Sequence, residues 1–219
     1  LPPYQVKYDT FSINKVDYRI RSLLDRQQYF DPDGDAERAG IPPAMWPIFG
    51  LVWPAGLFLA ETMATYPVQG RRILEIGCGI GLASLVLLRG GADITSTDLH
   101  PLTESFLAEN RALNDLPGLP YQGGDWRETL STLGQFDLLI GSDLLYEPEQ
   151  PELLADFIHR HAAATSEVII VDPGRGYHGR FNQAMEANGY RQRTDWSSRI
   201  PIRDSILKGR VLHYRRLAA

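Results

Sequence analysis

The chain has 219 residues, 43% of them hydrophobic and 22% charged, which suits one α/β domain with a short extension and leaves no room for a second core. Its formal net charge of −5 argues against non-specific nucleic-acid binding, which rests on Lys and Arg neutralising phosphates; a basic protein partner is easier to accommodate. The single cysteine, Cys78, excludes an internal disulfide and a cysteine-based zinc site, and points to a reducing compartment.

Taken in chain order, residues 4 to 24 alternate polar and apolar side chains around Asn14-Lys15, which predicts an N-terminal β-hairpin packed beside the main domain. Tyr29 to Pro47 is rich in Asp, Gly and Pro and reads as an exposed loop. Its DPDGD run resembles a calcium loop only superficially, because the glycine comes too early and no bidentate acid follows at the right distance. Residues 1–45 are therefore expected to be an extension and residues 46–219 the main domain.

From Trp53 onward, strand and helix patterns alternate, which predicts a doubly wound, mainly parallel seven-stranded sheet with helices on both faces. Helices are expected near 55–66, 82–89, 102–113, 149–163 and 178–188. Parallel strands are expected near 72–76, 93–97, 119–122, 136–141 and 167–171, with two more at Tyr190–Asp195 and Val211–Arg215. No apolar run reaches the roughly eighteen residues of a membrane span, and the start lacks an export signal. The expectation is a soluble cytoplasmic protein, or a mitochondrial-matrix one if a leader precedes Leu1.

The richest stretch is RILEIGCGIGLASLVLLRGGADITSTD, residues 72 to 98: an apolar strand, a turn with Gly77, Gly79 and Gly81, a helix, and a second strand ending in Asp98. Glycine lets a ligand approach the main chain, and an acid about 20 residues beyond such a turn can accept from both ribose hydroxyls. The spacing is G-x-G-x-G, with Leu82 where a dinucleotide fingerprint needs its third glycine. Glu75 precedes the turn, where it would repel a pyrophosphate but suits the cationic groups of S-adenosylmethionine. Cys78 sits inside the turn, where a small side chain is needed, so a catalytic thiol is not expected.

Three further segments fall at expected strand ends, where open α/β sheets bind ligands. Asp125 and Trp126 follow the third strand of the parallel set, where the acid can accept from an adenine amino group and the indole can border the base. GSDLLYEPEQ, residues 141 to 150, puts Ser142 beside the methionine part of the cofactor and aims Asp143 and Tyr146 at the acceptor. Asp143 could orient an amine and stabilise the ammonium that develops, while Tyr146 offers a ring face and a hydroxyl. DPGRGYHGRF, residues 172 to 181, makes a turn whose Asp172 and Arg175 either pin a neighbouring loop or contact substrate. Trp53, directly before the first main-domain helix, could wall off the adenosine or a lysine channel. The five histidines show no metal or triad spacing and are expected to be surface or capping residues.

Together, Trp53 in LVWPAG, the LEIGCGIG turn, the Thr97-Asp98 strand end, Gly124-Asp125-Trp126 and GSDLLYE resemble the family 16 group of class I methyltransferases, most of them protein-lysine methyltransferases. The resemblance covers roughly residues 45 to 175. It implies cofactor contacts from Trp53, Gly77, Gly79, Asp98, Trp126 and Ser142, and a substrate-side role for Asp143 and Tyr146. The DPGR segment together with WPAG resembles the branch that methylates lysines of the electron transfer flavoprotein β subunit. The expected activity is S-adenosylmethionine-dependent N-methylation of a lysine on a protein substrate, with no nucleic acid, membrane or metal. The alternatives are a small-amine or nicotinamide-type N-methyltransferase and a catalytically silent binding module; intact Glu75, Asp98 and Asp143 speak against the last.

Overall fold

The structure, a computed structural model, describes residues 4–193, 196–202 and 205–218. Strands β1 (Val6–Ile13) and β2 (Val16–Leu23) form the hairpin, joined by Asn14 and Lys15, both with positive φ as a tight two-residue turn requires. A short helix α1 (Asp35–Arg38) and a 3-10 turn (Trp46–Gly50) lead into α2 (Pro54–Met63). The remaining elements are β3 (Arg72–Ile76), α3 (Leu82–Arg89), β4 (Asp93–Asp98), α4 (Thr103–Leu113), β5 (Tyr121–Gly123), β6 (Phe136–Ser142), α5 (Gln150–His161), β7 (Ala162–Asp172), α6 (His178–Ala187), β8 (Arg191–Gln192), β9 (Trp196–Ile202) and β10 (Ser205–Arg216).

The main sheet runs β5-β4-β3-β6-β7-β10-β8. Its first five members are mutually parallel, and β10 is antiparallel to both β7 and β8. Both faces are buried, so the strands read as nearly continuous apolar runs whose alternate residues serve two cores. Ile73, Leu138, Ile140, Ile169 and Val171 face α2, α3 and α4. Leu74, Leu139, Val168 and Ile170 face α5 and α6.

The hairpin belongs to the first of these cores. Its Ile13, Tyr18, Ile20 and Leu23 are buried there, and the side chains of Asn110 on α4 and of Asn114 at its C-terminal cap bond to the main chain of Arg21 and Arg19 on β2. An aliphatic substitution at Asn110 would strand buried main-chain groups of β2.

Three expectations need amendment. An eighth strand, β9, pairs with an unusually long β10; its sequence WSSRIPI contains Pro201 and lacks clean alternation, which hid it. The strand expected over Tyr190–Asp195 is the short β8, and positions 194 and 195 lie outside the described residues. The segment expected to be an exposed loop, Tyr29 to Pro47, is only partly one. Trp46 is buried against Tyr4, Phe49 and His100, because aromatic residues scattered through a Pro-rich stretch find partners distant in sequence. The DPDGD run is structural, with Asp31 accepting from the N–H groups of Ala36 and Glu37 at the start of α1.

Candidate active site

The sheet changes direction at β3, with β4 on one side and β6 on the other, and the crevice between their carboxyl ends is where such sheets bind ligands. A cleft of about 690 Å³ opens there, within the range of a small-molecule site. It is lined by Trp53, Glu75, Gly77, Cys78, Gly79, Asp98, Asp125, Trp126, Ser142, Asp143 and Tyr146. Residues dispersed over more than ninety positions are thus brought to one wall.

The glycine turn supplies its floor. Gly77, Gly79 and Gly81 all have positive φ. At Gly79 a Cβ would stand 2.7 Å from the carbonyl oxygen of Phe49, so main chain meets main chain with no room for a side chain. Gly81 has a different task and does not line the cleft. It caps α3 in the left-handed conformation, and a Cβ would collide with Leu107 at 2.2 Å. Of the glycines expected to bind the cofactor, Gly81 thus serves helix packing, beside the cleft rather than in its lining. Cys78 is buried in the turn, and burial among Asp98 and Glu75 holds its thiol well above the ordinary range, as befits a packing residue.

Asp98 ties the turn to β4. Its Oδ2 accepts from the Gly79 N–H at 2.8 Å and its Oδ1 from the His100 N–H at 2.9 Å. Burial raises its pKa against those bonds, so it gains from further donors. Glu75 is also buried, and its Oε2 accepts from the main chain and hydroxyl of Ser84 on α3. Burial pushes its pKa up to about 7, poised for a cation.

His100 was not anticipated. It is 4% exposed, stacks on Phe49 with ring centroids 3.7 Å apart, and lines the cleft beside Asp98. Its Nδ1 accepts from the Leu102 N–H, so Nε2 carries the proton, and burial pushes the pKa down to about 3. His161 and His213 are buried as well, the latter 2.5 Å from Glu167, so three of the five histidines expected as surface or capping residues lie off the surface. Histidine carries no periodic signal of burial, which is why sequence did not separate them.

Beyond β5, Asp125 is held by Arg127 through its main chain and guanidinium, and the carbonyl of Trp126 accepts from Arg160. Trp53 caps the start of α2 and donates Nε1–H to the Ile48 carbonyl at 2.8 Å, fixing its indole at the cleft wall. Residues 39–52 close the remaining side, notably Ile41, Met45 and Ile48.

At the other end, Asp143 follows β6 with φ of 53°, a left-handed conformation that few residues besides glycine adopt and that Asp tolerates. Its N–H is anchored to the Val171 carbonyl at 2.8 Å. Both carboxylate oxygens are engaged by Arg175, which was placed only as a loop pin or substrate contact. Tyr146 lines the cleft; burial raises its hydroxyl pKa, so it stays a neutral donor. Asp172 lies outside the cleft lining, buried at the end of β7 and opposite Arg210.

The family model described as "Lysine methyltransferase" matches residues 47–185. The electron transfer flavoprotein beta subunit lysine methyltransferase of Xenopus laevis is 32% identical over 143 residues, covering 61% of this chain and 56% of that protein. The histone-arginine methyltransferase METTL23 of the same organism is 27% identical over 146 residues, 63% of this chain and 61% of that one. The chain spans just over half the length of this electron transfer flavoprotein beta subunit lysine methyltransferase and of its Danio rerio counterpart. Among solved structures, a 16S rRNA methyltransferase of T. thermophilus in complex with AdoMet and guanosine superposes with a TM-score of 0.66 over 98% of this chain and 51% of that one, at 17% identity. That likeness is one of fold.

Proposed function

The chain belongs to the lysine methyltransferase family, and from that premise we propose that it transfers a methyl group from S-adenosylmethionine to a lysine side chain of a protein. The observation that carries the proposal is a single cleft joining two chemically distinct ends. One sets Asp98 against a side-chain-free turn; the other presents an acid and a phenol, Asp143 and Tyr146.

The residues present fit the cofactor. Gly77 and Gly79 line the cleft with main chain alone, Asp98 is buried there and gains from further donors, and Glu75 offers a carboxyl group that gains by ionising beside a cation. S-adenosylmethionine, when bound, supplies a methyl group on a positively charged sulfur. The chain's own task is to present a neutral amine in line with that methyl, keep water out, and tolerate positive charge moving to the nitrogen. Asp143 is placed to orient the amine and to steady the ammonium as it forms. Tyr146 offers a hydroxyl and a ring face to the same nitrogen. Trp53 and residues 39–52 wall the cleft from solvent.

A protein acceptor accords with the relatives, whose names specify proteins as substrates, and with the acidic balance of the chain. Calorimetric titration tests the cofactor half. S-adenosylmethionine and S-adenosylhomocysteine should bind and NAD should not; tight NAD binding would overturn it.

A further inference from the structure

The carboxylate that an acceptor amine would need is already occupied by the protein itself. Arg175 donates Nε–H to Oδ1 of Asp143 at 2.7 Å and Nη2–H to Oδ2 at 2.8 Å, a bidentate pairing that uses both oxygens. The two partners differ in setting: the Asp143 side chain is 13% exposed, that of Arg175 45%. The acid is therefore fixed in the wall while the cation reaches in from outside. That contact also holds the guanidinium more firmly protonated than usual.

Few contacts hold the segment bearing Arg175. Gly174 has φ of 87° and Gly176 φ of 100°, and neither has a heavy atom within 4 Å of where a Cβ would stand. These glycines serve the backbone turn and not a packing contact. Among the described residues no main-chain hydrogen bond to another main-chain group holds Gly174, Arg175 or Gly176. Rotation at a few dihedrals would swing Arg175 off Asp143 with little loss of buried surface.

We infer that Arg175 is a latch that stands in for the acceptor lysine, covering Asp143 in the free protein and being displaced when the substrate's amine enters. The inference rests on the amine-transfer reading above. The stand-in suits its place chemically. A guanidinium is always charged and its nitrogen electrons are delocalised, so it can neutralise Asp143 without itself competing for the methyl. A lysine ammonium that displaces it can give a proton to solvent water and so present the neutral amine that methyl transfer needs. The latch would also act as a filter, since a free small amine brings only its own charge to the exchange, whereas a protein brings further contacts that help to open it.

The test uses Arg175→Ala, with Arg175→Gln as the second variant should the first fail to fold. The acceptor probe is n-butylamine, and methylguanidine is the soluble replacement for the missing side chain. Removing a latch should lower the KM for n-butylamine roughly five- to tenfold with kcat nearly unchanged. Methylguanidine should then inhibit the variant competitively with the amine while scarcely affecting the wild type. A mere brace for Asp143 gives the opposite sign: kcat falls, and methylguanidine restores it. Either that result or an unchanged KM without competition overturns the latch. Methylation of lysines in a cell lysate by the wild-type protein reports the underlying reading separately. If it is absent while S-adenosylmethionine still binds, amine transfer itself fails and the latch falls with it.

Discussion

The main-chain N–H of Gly79 donates to Oδ2 of Asp98 at 2.8 Å, so the glycine turn after β3 and the acid ending β4 hold each other in place. The same carboxylate receives the His100 N–H on its other oxygen. Asp98 is therefore the clasp of the cleft floor, and in the proposed function it is the ribose acceptor as well.

Replacing Asp98 by Ala should weaken S-adenosylmethionine binding by about 1–3 kcal/mol, since ribose hydroxyls lose a charged acceptor and two main-chain donors lose theirs. Calorimetry gives the affinity, and a lowered melting temperature of the ligand-free protein gives the clasp. Unchanged affinity would remove Asp98 from the site.

Gly79→Ala should be more damaging than its size suggests. The added methyl meets the Phe49 carbonyl at 2.7 Å, an atom that cannot step aside without moving the cleft wall, and φ of 51° is strained for alanine. A destabilisation of about 1–3 kcal/mol in denaturant melts is expected. Wild-type stability would show that the turn relaxes freely.

Glu75 sets a pH dependence of definite sign. Its pKa is raised from an ordinary 4.5 to about 7 by burial, so between those values the folded protein keeps a proton that the unfolded chain has lost. Its contribution to stability is complete below the lower value and is lost as pH rises through the upper one, roughly 3 kcal/mol in all. A cation bound beside it favours the ionised form, so S-adenosylmethionine affinity should rise from about pH 6 to pH 8 with proton release on binding. Glu75→Gln should flatten that slope. An equal slope in the variant would assign it to another group.

Asp143→Asn keeps the size and the left-handed backbone but removes the charge. Turnover should fall on the order of a hundredfold, the rate equivalent of about 2–4 kcal/mol of transition-state stabilisation, with cofactor affinity nearly unchanged. Tyr146→Phe should cost less if the ring face matters and about as much if the hydroxyl holds the amine. Loss of cofactor binding or of folding in Asp143→Asn would make Asp143 structural.

Much of this was legible in sequence because its causes are local. Apolar runs bounded by glycine located β3, β6 and the core of β7, and helix formers before Gly90 located α3. The Asn14-Lys15 turn set the hairpin register, pairing Ile13 with Val16. What escaped notice depends on contacts between distant positions. Nothing near Arg175 announces Asp143, 32 residues earlier, and nothing near Glu75 shows that Ser84 will satisfy one of its oxygens. The wall over residues 39–52 was hidden by a Pro- and Gly-rich composition, although Trp46 and Phe49 within it were the available clue to burial.

The central claim is the identity of the methylated atom. Incubating the protein with S-adenosylmethionine labelled in its methyl group and a whole-cell lysate, then hydrolysing the labelled proteins and separating their amino acids, tests it directly. Label should appear in methyllysine and should vanish with Asp143→Asn. Label in methylarginine, in small molecules only, or in methyllysine to the same extent with the variant would contradict the account.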